Sequence, residues 1–253
     1  MKDFDFSQID HLKPWALFLD IDGTLCDFAA TASAVVFPKA LVPVLQRLHD
    51  QLGGALAIIT GRSIESADRL FEGSGLTLPI AGLHGGEFRF ADGYEQIDAP
   101  VASDEWRQQA RAVAERLPGV IYEEKRFGFG LHYRFAPSQG PAVWEAMEKL
   151  VDGHPDFHLL PASMAVEVRP NGVDKGQAIE RFMQHAPFKG RYPIFFGDDF
   201  TDEDGFHGVH MLRGSAVLVG SRTPSIAEYR VKDTETMRAM LTSLNVNLAA
   251  NAA

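Results

Sequence analysis

Trp15-Ala16-Leu17-Phe18-Leu19-Asp20-Ile21-Asp22-Gly23-Thr24-Leu25 carries an apolar run straight into two aspartates and a Gly-Thr turn. A short continuous apolar run reads as a strand buried on both faces, as in a parallel sheet. Ligands of open α/β sheets bind beyond the carboxyl ends of the strands. Asp20 and Asp22 would lie there, with Gly23 letting the backbone turn. The i, i+2 spacing of a strand sets both carboxylates on one side. Like charges that close repel, and a divalent cation is the natural compensation. An isolated Asp-x-Asp can also be a solvated strand end, so the rest of the chain has to decide.

Outward from this stretch the pattern is regular. Residues 1–13 read as a polar lead-in. After Pro38, Leu41, Val44, Leu45 and Leu48 have helical spacing, closed by Gly53-Gly54. Residues 55–60 form a second buried strand that ends at Thr60-Gly61-Arg62-Ser63, with Ser63 as N-cap of a helix to about Phe71. A short strand follows at 78–81. Strand and helix in alternation imply a right-handed parallel sheet. The rhythm then changes. A hairpin signal at 87–97, a helix near 103–117, strands near 120–124 and 129–135, a helix near 139–152, and strands near 157–160 and 164–169 read as a separate α+β unit. Beyond Arg169-Pro170-Asn171-Gly172 come a helix at 174–185, a strand at 192–196, a strand at 215–220 and a closing helix at 233–248 with a frayed tail. The expected fold is α/β: a doubly wound, Rossmann-like parallel-sheet core (1–86 and 171–253) interrupted by an inserted α/β cap domain (87–170).

The net charge of -10 argues against non-specific nucleic-acid binding, which needs a basic face. A local basic pocket could still take a small anion. The single cysteine, Cys26, forms no internal disulfide and reads as a packing residue. No signal-peptide pattern or membrane-length apolar run is visible. A cytoplasmic monomer acting on a small molecule is expected.

Asp20-x-Asp22, Thr60, Lys175 and Asp198-Asp199-x-x-Asp202 all fall at ends of expected core strands or at the start of the next helix. Each alone has an ordinary structural reading; together they make a phosphoryl-transfer site, where positioning and charge neutralisation dominate. Hard carboxylate oxygens, one backbone carbonyl and waters suit Mg²⁺. Asp20 can attack phosphorus. Asp22 can protonate the leaving alkoxide and then deprotonate water. Thr60 and Lys175 can hold non-bridging oxygens.

The sequence resembles the haloacid dehalogenase superfamily of Mg²⁺-dependent phosphatases, through Asp20-Ile21-Asp22-Gly23-Thr24, Thr60-Gly61-Arg62, Lys175-Gly176 and Gly197-Asp198-Asp199-Phe200-Thr201-Asp202. The resemblance implies catalytic roles for Asp20, Asp22, Thr60 and Lys175. It implies a metal set of Asp20, Asp22, Asp198, Asp199 and Asp202, the last two binding either through water or as supports of the direct ligands. Gly82-Leu83-His84-Gly85-Gly86-Glu87, Glu123-x-Lys125, His132-Tyr133-Arg134 and the run from Glu167 to Gly176 further resemble the trehalose-6-phosphate phosphatase family. That resemblance implies Arg62, Glu123, Lys125, His132, Arg134, Glu167 and Asn171 as substrate-binding residues. The cap would act as a lid with hinges near 82–87 and 169–172. Phosphatases of sucrose phosphate, mannosyl-phosphoglycerate or hexose phosphates share this pattern of expectations. A non-catalytic sugar-phosphate sensor could dispense with Asp20 and Asp22, and both are present.

Overall fold

The computed structural model describes residues 1–9, 14–29, 34–162 and 164–244. Two compact units divide the chain, Met1–Ile97 with Asp174–Ala253, and Asp98–Val173. The first unit opens with β1 (Lys2–Asp3), β2 (Trp15–Leu19), α1 (Val42–Gln51), β3 (Leu56–Ile59), α2 (Ile64–Leu70), β4 (Ile80–Gly82), β5 (Glu87–Arg89) and β6 (Tyr94–Gln96). The second holds α3 (Asp104–Arg116), β7 (Ile121–Glu124), β8 (Phe129–His132), α4 (Gly140–Val151), β9 (Phe157–Ala162) and β10 (Ala165–Pro170). The chain returns to the first with α5 (Lys175–Gln184), β11 (Tyr192–Gly197), α6 (Asp202–Met211), β12 (Ser215–Val219), β13 (Tyr229–Val231) and α7 (Thr234–Ser243).

The first unit is built on a sheet in the order β1-β13-β12-β11-β2-β3-β4-β5-β6. Pairing is parallel from β1 across to β4 and antiparallel at β4-β5 and β5-β6. From β2 the chain steps outward to β3 and β4. It later returns on the other side of β2 with β11 and steps outward again to β12 and β13. The carboxyl ends of β2 and β11 therefore flank the point where strand order reverses, which is where open α/β sheets bind ligands. Both strands are apolar throughout because both faces are covered: Phe18, Leu19, Phe195 and Phe196 are fully buried. Phe182 of α5 and Phe188 pack on Phe18, with ring centroids 6.0 and 5.4 Å away.

The second unit is an antiparallel sheet in the order β7-β8-β10-β9. One face is apolar: Phe129, Leu131, Val166 and Val168 share a core with Ala110 and Val113 of α3 and Val143 and Met147 of α4. Residues alternate between faces along a strand, so Glu123, Gly130, His132, Glu167 and Arg169 fall on the opposite face.

Some expectations need correction. The segment read as a polar lead-in pairs with β13 as an edge strand, and Phe4, Phe6 and Ile9 are buried in the core. Apolar residues interspersed with acids carried too little period to reveal this. The hairpin expected at the start of the cap instead extends the core sheet, with Ala81 opposite Phe88 and Phe88 packed on Phe182. Consequently the inserted unit runs from Asp98 to Val173, rather than over 87–170. A hairpin signal states that two strands pair with each other, not which sheet they join. β8 stops at His132, short of the expected 135. The last residues of the expected closing helix and its tail lie outside the described residues. Among the described residues no helix is long and apolar enough to cross a membrane.

Phe4 packs edge-on to Phe6 and Phe196 at 4.9 and 5.2 Å. Phe4→Ala should cost about 3 kcal/mol, read as a lowered urea midpoint with an unchanged slope. An unchanged midpoint would remove the N-terminal segment from the core.

Candidate active site

Asp20 follows β2 directly, and Asp198 follows β11. These are adjacent strands, paired from Tyr192↔Trp15 to Phe196↔Leu19. The two acids are thereby brought to one edge of the reversal point. Gly23, at φ +81°, makes room for the second: a Cβ there would lie 2.2 Å from Asp198 Oδ2. Only glycine combines that backbone angle with that space. Thr24 Oγ1 donates to Asp198 Oδ1 at 3.4 Å.

Lys175 opens α5, whose N-cap Asp174 accepts the Gln177 amide. Its side chain is buried, and Nζ donates to Asp20 Oδ1 at 2.8 Å and to Asp202 Oδ1 at 2.6 Å. The other oxygen of Asp202 accepts the amides of Asp198 and Asp199, both at 2.9 Å. Asp202 thus ties the lysine to the loop after β11. Burial alone would lower the Lys175 pKa, but Asp20 and Asp202 outweigh it and hold the ammonium above its ordinary value.

Carboxylate oxygens of Asp20, Asp198 and Asp202 lie within 4.8 Å of one another. Burial pushes the Asp20 carboxyl up to about 8 despite Lys175, and the Asp198 carboxyl up to about 9, with Asp202 adding to both. Burial raises Asp199 as well. These acids outnumber the single ammonium beside them. A hard divalent cation fits this donor set, because it supplies charge that Lys175 alone does not. Asp199 is outside the close group of three.

Asp22 is engaged elsewhere. Arg62 Nε donates to its Oδ2 at 2.7 Å and Nη2 to its Oδ1 at 2.6 Å, a two-pronged pairing. Thr60, fully buried after β3, accepts the Arg62 amide at 3.2 Å, and a hydroxyl that accepts one bond can still donate another. Ser63 caps α2 as expected, accepting the Ser66 amide. Burial, reinforced by Asp22, pushes the Cys26 thiol up to about 12, so it is no nucleophile at neutral pH.

The polar face of the second unit holds a charge cluster. Glu123 and Glu167 both register against Gly130 from either side. Having no side chain, Gly130 leaves a gap in this row. Lys125 Nζ reaches Glu167 Oε1 at 2.9 Å and Glu123 Oε2 at 3.3 Å. His132 Nε2 meets Glu123 Oε2 at 2.6 Å. Arg169 donates twice to Glu167 Oε2, at 2.9 and 2.7 Å. Burial would raise the Glu167 pKa, but Arg169 and Lys125 overcome it and hold it at about 2. Burial opposes ionisation of Glu123 too, yet His132 and Lys125 keep it below its ordinary value.

Four of the expected substrate-binding residues, Glu123, Lys125, His132 and Glu167, therefore meet in one cluster. Arg134 does not join them: β8 ends at His132, so the alternation expected through 134 fails, and Arg134 lies in an exposed turn. Asn171 braces a turn instead, donating to Pro155 O at 2.7 Å and pairing with His158 Nδ1 at 2.8 Å. Sequence reading missed two residues. Arg169 sits two positions from Glu167, a spacing that could have suggested the pair. Arg107 of α3 donates to the carbonyls of Ala102, Lys125, Arg126 and Gly128, holding the hairpin turn that carries Lys125. No local pattern marks Arg107, since its partners are brought to it by the fold.

The fold is shared with a solved sugar phosphatase of the haloacid dehalogenase superfamily, at a TM-score of 0.59 and 16% identity over 88% of this chain and 96% of that one. The trehalose-phosphatase family profile matches residues 18–235, and the chain belongs to that family. A probable trehalose-phosphate phosphatase of Sinorhizobium fredii is 40% identical over 247 residues, covering 96% of this chain and 92% of that protein. The trehalose-6-phosphate phosphatase of Escherichia coli K12 is 39% identical over 211 residues, covering 82% and 78%. The C-terminal domain of the C. albicans trehalose-6-phosphate phosphatase has the same fold, with a TM-score of 0.79 at 20% identity over 90% of this chain and 91% of that one.

Glu167 gives a pH test. Its folded-state pKa lies below the ordinary 4.5, at about 2, so the folded protein takes up this proton less readily than the unfolded chain. Its contribution, on the order of 3 kcal/mol, is complete above about pH 4.5 and is lost as pH falls toward 2. Glu167→Gln should therefore be less stable than the parent at pH 6, and the gap in melting temperature should narrow by pH 3. A gap that is constant with pH would mean that ionisation of Glu167 does not stabilise the fold.

Proposed function

We propose that this chain is a Mg²⁺-dependent phosphatase that hydrolyses trehalose 6-phosphate to trehalose and phosphate through an aspartyl-phosphate on Asp20. The observation that carries the reading is the group formed by buried Asp20 and Asp202, both bonded to Lys175, with half-buried Asp198, in a chain of the trehalose-phosphatase family. The reading includes a monomer acting in the cytoplasm.

In this scheme one Asp20 oxygen bonds to phosphorus while the bond from phosphorus to the sugar oxygen breaks. Asp22 gives its proton to that oxygen as it leaves. Asp22 then takes a proton from water, whose oxygen bonds to phosphorus as the Asp20 oxygen departs, and phosphate is released. Arg62 holds both oxygens of the Asp22 carboxylate, the form that takes the proton from water, and Asp22 gives a proton once one oxygen is released from Arg62. Lys175 fixes the Asp20 carboxylate, leaving Oδ2 for attack, and with the Thr60 hydroxyl offers donors to the phosphoryl oxygens. Asp20 and Asp198 would hold Mg²⁺, with Asp202 keeping their loop in place and a backbone carbonyl at Asp22 and water completing the set. Bound there, the ion supplies charge that keeps the buried acids ionised and offsets repulsion of the incoming phosphate.

The second unit supplies the sugar selectivity. A sugar presents many hydroxyls, each both donor and acceptor. Glu123, Glu167, Lys125 and His132 offer carboxylate acceptors and a lysine donor in one cluster. Arg169 holds Glu167 ionised and fixed in orientation.

Purified protein should release phosphate from trehalose 6-phosphate with Mg²⁺ and cease on chelation, and Asp20→Asn should be at least 10³-fold slower. This follows from the loss of a nucleophile. No release from any of a panel of phosphorylated disaccharides would favour a binding protein. Lys125→Ala should lower kcat/KM for the sugar phosphate by about 10²-fold, while hydrolysis of a small aryl phosphate changes less than twofold. Equal losses on both substrates would remove the second unit from recognition.

A further inference from the structure

The loop after β11 is held by a residue outside every motif above. Arg222 lies beyond β12, past Gly220 and Ser221, and its side chain is only 14% exposed. Nε donates to the Asp198 carbonyl at 3.0 Å, and Nη2 to the Asp199 carbonyl at 3.2 Å. Nη2 also meets the Glu203 carboxylate, and Nη1 donates to the Pro224 carbonyl at 2.6 Å. The guanidinium lies over the Phe200 ring, 4.5 Å from its centroid. Glu203 is itself anchored, its other oxygen accepting the Ile226 amide at 2.9 Å. Asp202 takes the two amides of the same loop residues. Asp198 and Asp199 are thus held by their N–H groups from Asp202 and by their C=O groups from Arg222.

We propose that Arg222 is a positioning residue that sets the aim of the Asp198 carboxylate and thereby the affinity of the site for its divalent cation. The inference rests on the reading of Asp198 as a metal ligand. Its physical basis is the fork of the guanidinium, which satisfies several acceptors in fixed directions. Outer partners of metal ligands characteristically contribute 10–100-fold in metal affinity. The direction of the effect separates positioning from charge. A cation beside a cation site weakens binding by repulsion, so removing Arg222 would tighten binding if only its charge mattered. Loss of the clamp would weaken it.

The test is titration of the full chain with Mn²⁺, without substrate, followed by the free-ion EPR signal. Arg222→Gln and Arg222→Lys should each raise the Mn²⁺ Kd by about 10–100-fold. The lysine variant should resemble glutamine, not the parent, because a single ammonium cannot span the two carbonyls and Glu203. Saturating Mg²⁺ should restore kcat for the aryl phosphate to within about twofold in both variants. A residue that serves stability alone would lower the melting temperature and leave the Kd unchanged. A Kd within twofold of the parent, or a tighter one, would overturn the inference. Should the Arg222 variants fail to fold, Phe200→Leu, which removes the ring beneath the guanidinium without changing charge, decides: a raised Kd supports the inference and an unchanged one overturns it. Failure of the parent itself to bind Mn²⁺ would instead remove the metal reading on which the inference stands.

Discussion

The structure of the first unit turns on one buried ammonium placed among several buried carboxylates. Lys175 is 2% exposed and bridges Asp20 after β2 to Asp202 at the start of α6. Three separate segments converge on this point. They can do so because β2 and β11 are neighbours at the reversal of strand order and α5 delivers the lysine as the chain comes back from the second unit. Leaving this lysine out would strand Asp20 and Asp202 in a dry environment, where an unpaired ionised acid is costly.

The two units balance charge in opposite directions. At the reversal point acids exceed cations, and Asp20 and Asp198 are driven up to about 8 and 9. On the polar face of the second unit Glu167 is flanked by Arg169 and Lys125, and it is driven down to about 2. An added divalent cation would balance the first arrangement, as the proposed function requires. The second is already compensated, so Glu167 stays an ionised acceptor at neutral pH, as the proposed contact with a hydroxyl-bearing surface requires. Under the proposed function, phosphate chemistry and sugar recognition would call for different local charge counts, one in each unit.

Legibility in the sequence followed how local each feature is. Asp20, Thr60, Lys175 and Asp198 were readable because each sits at a strand end or helix start marked by its own neighbours, such as the apolar run before Asp20 or Asp174 before Lys175. Parallel order was readable from strand–helix alternation. Phe4 and Phe6 were hidden because the two-residue edge strand before Phe4 and the single helical turn at Phe6–Gln8 are too short to show a period. The hairpin at 87–97 was visible as a hairpin, while its pairing with β4 depends on tertiary structure. Arg107 and Arg222 act on backbone carbonyls, which every residue carries, so nothing in the partner sequence announces them. Arg134 and Asn171 show the converse: a motif carried their names, but the end of β8 and the turn that leads into β9 decided where they went.

The central claim is that the Asp20 carboxylate becomes covalently bonded to phosphorus during turnover. Rapid acid quench of the protein with ³²P-labelled sugar phosphate and Mg²⁺ shows whether label enters the protein, and reduction of a parallel quenched sample with tritiated borohydride, followed by peptide mapping, locates the residue. The account predicts ³²P in the protein before phosphate release, and tritium at position 20, as homoserine, after reduction. Label on another residue, or full turnover with no labelled protein at any quench time, would contradict it.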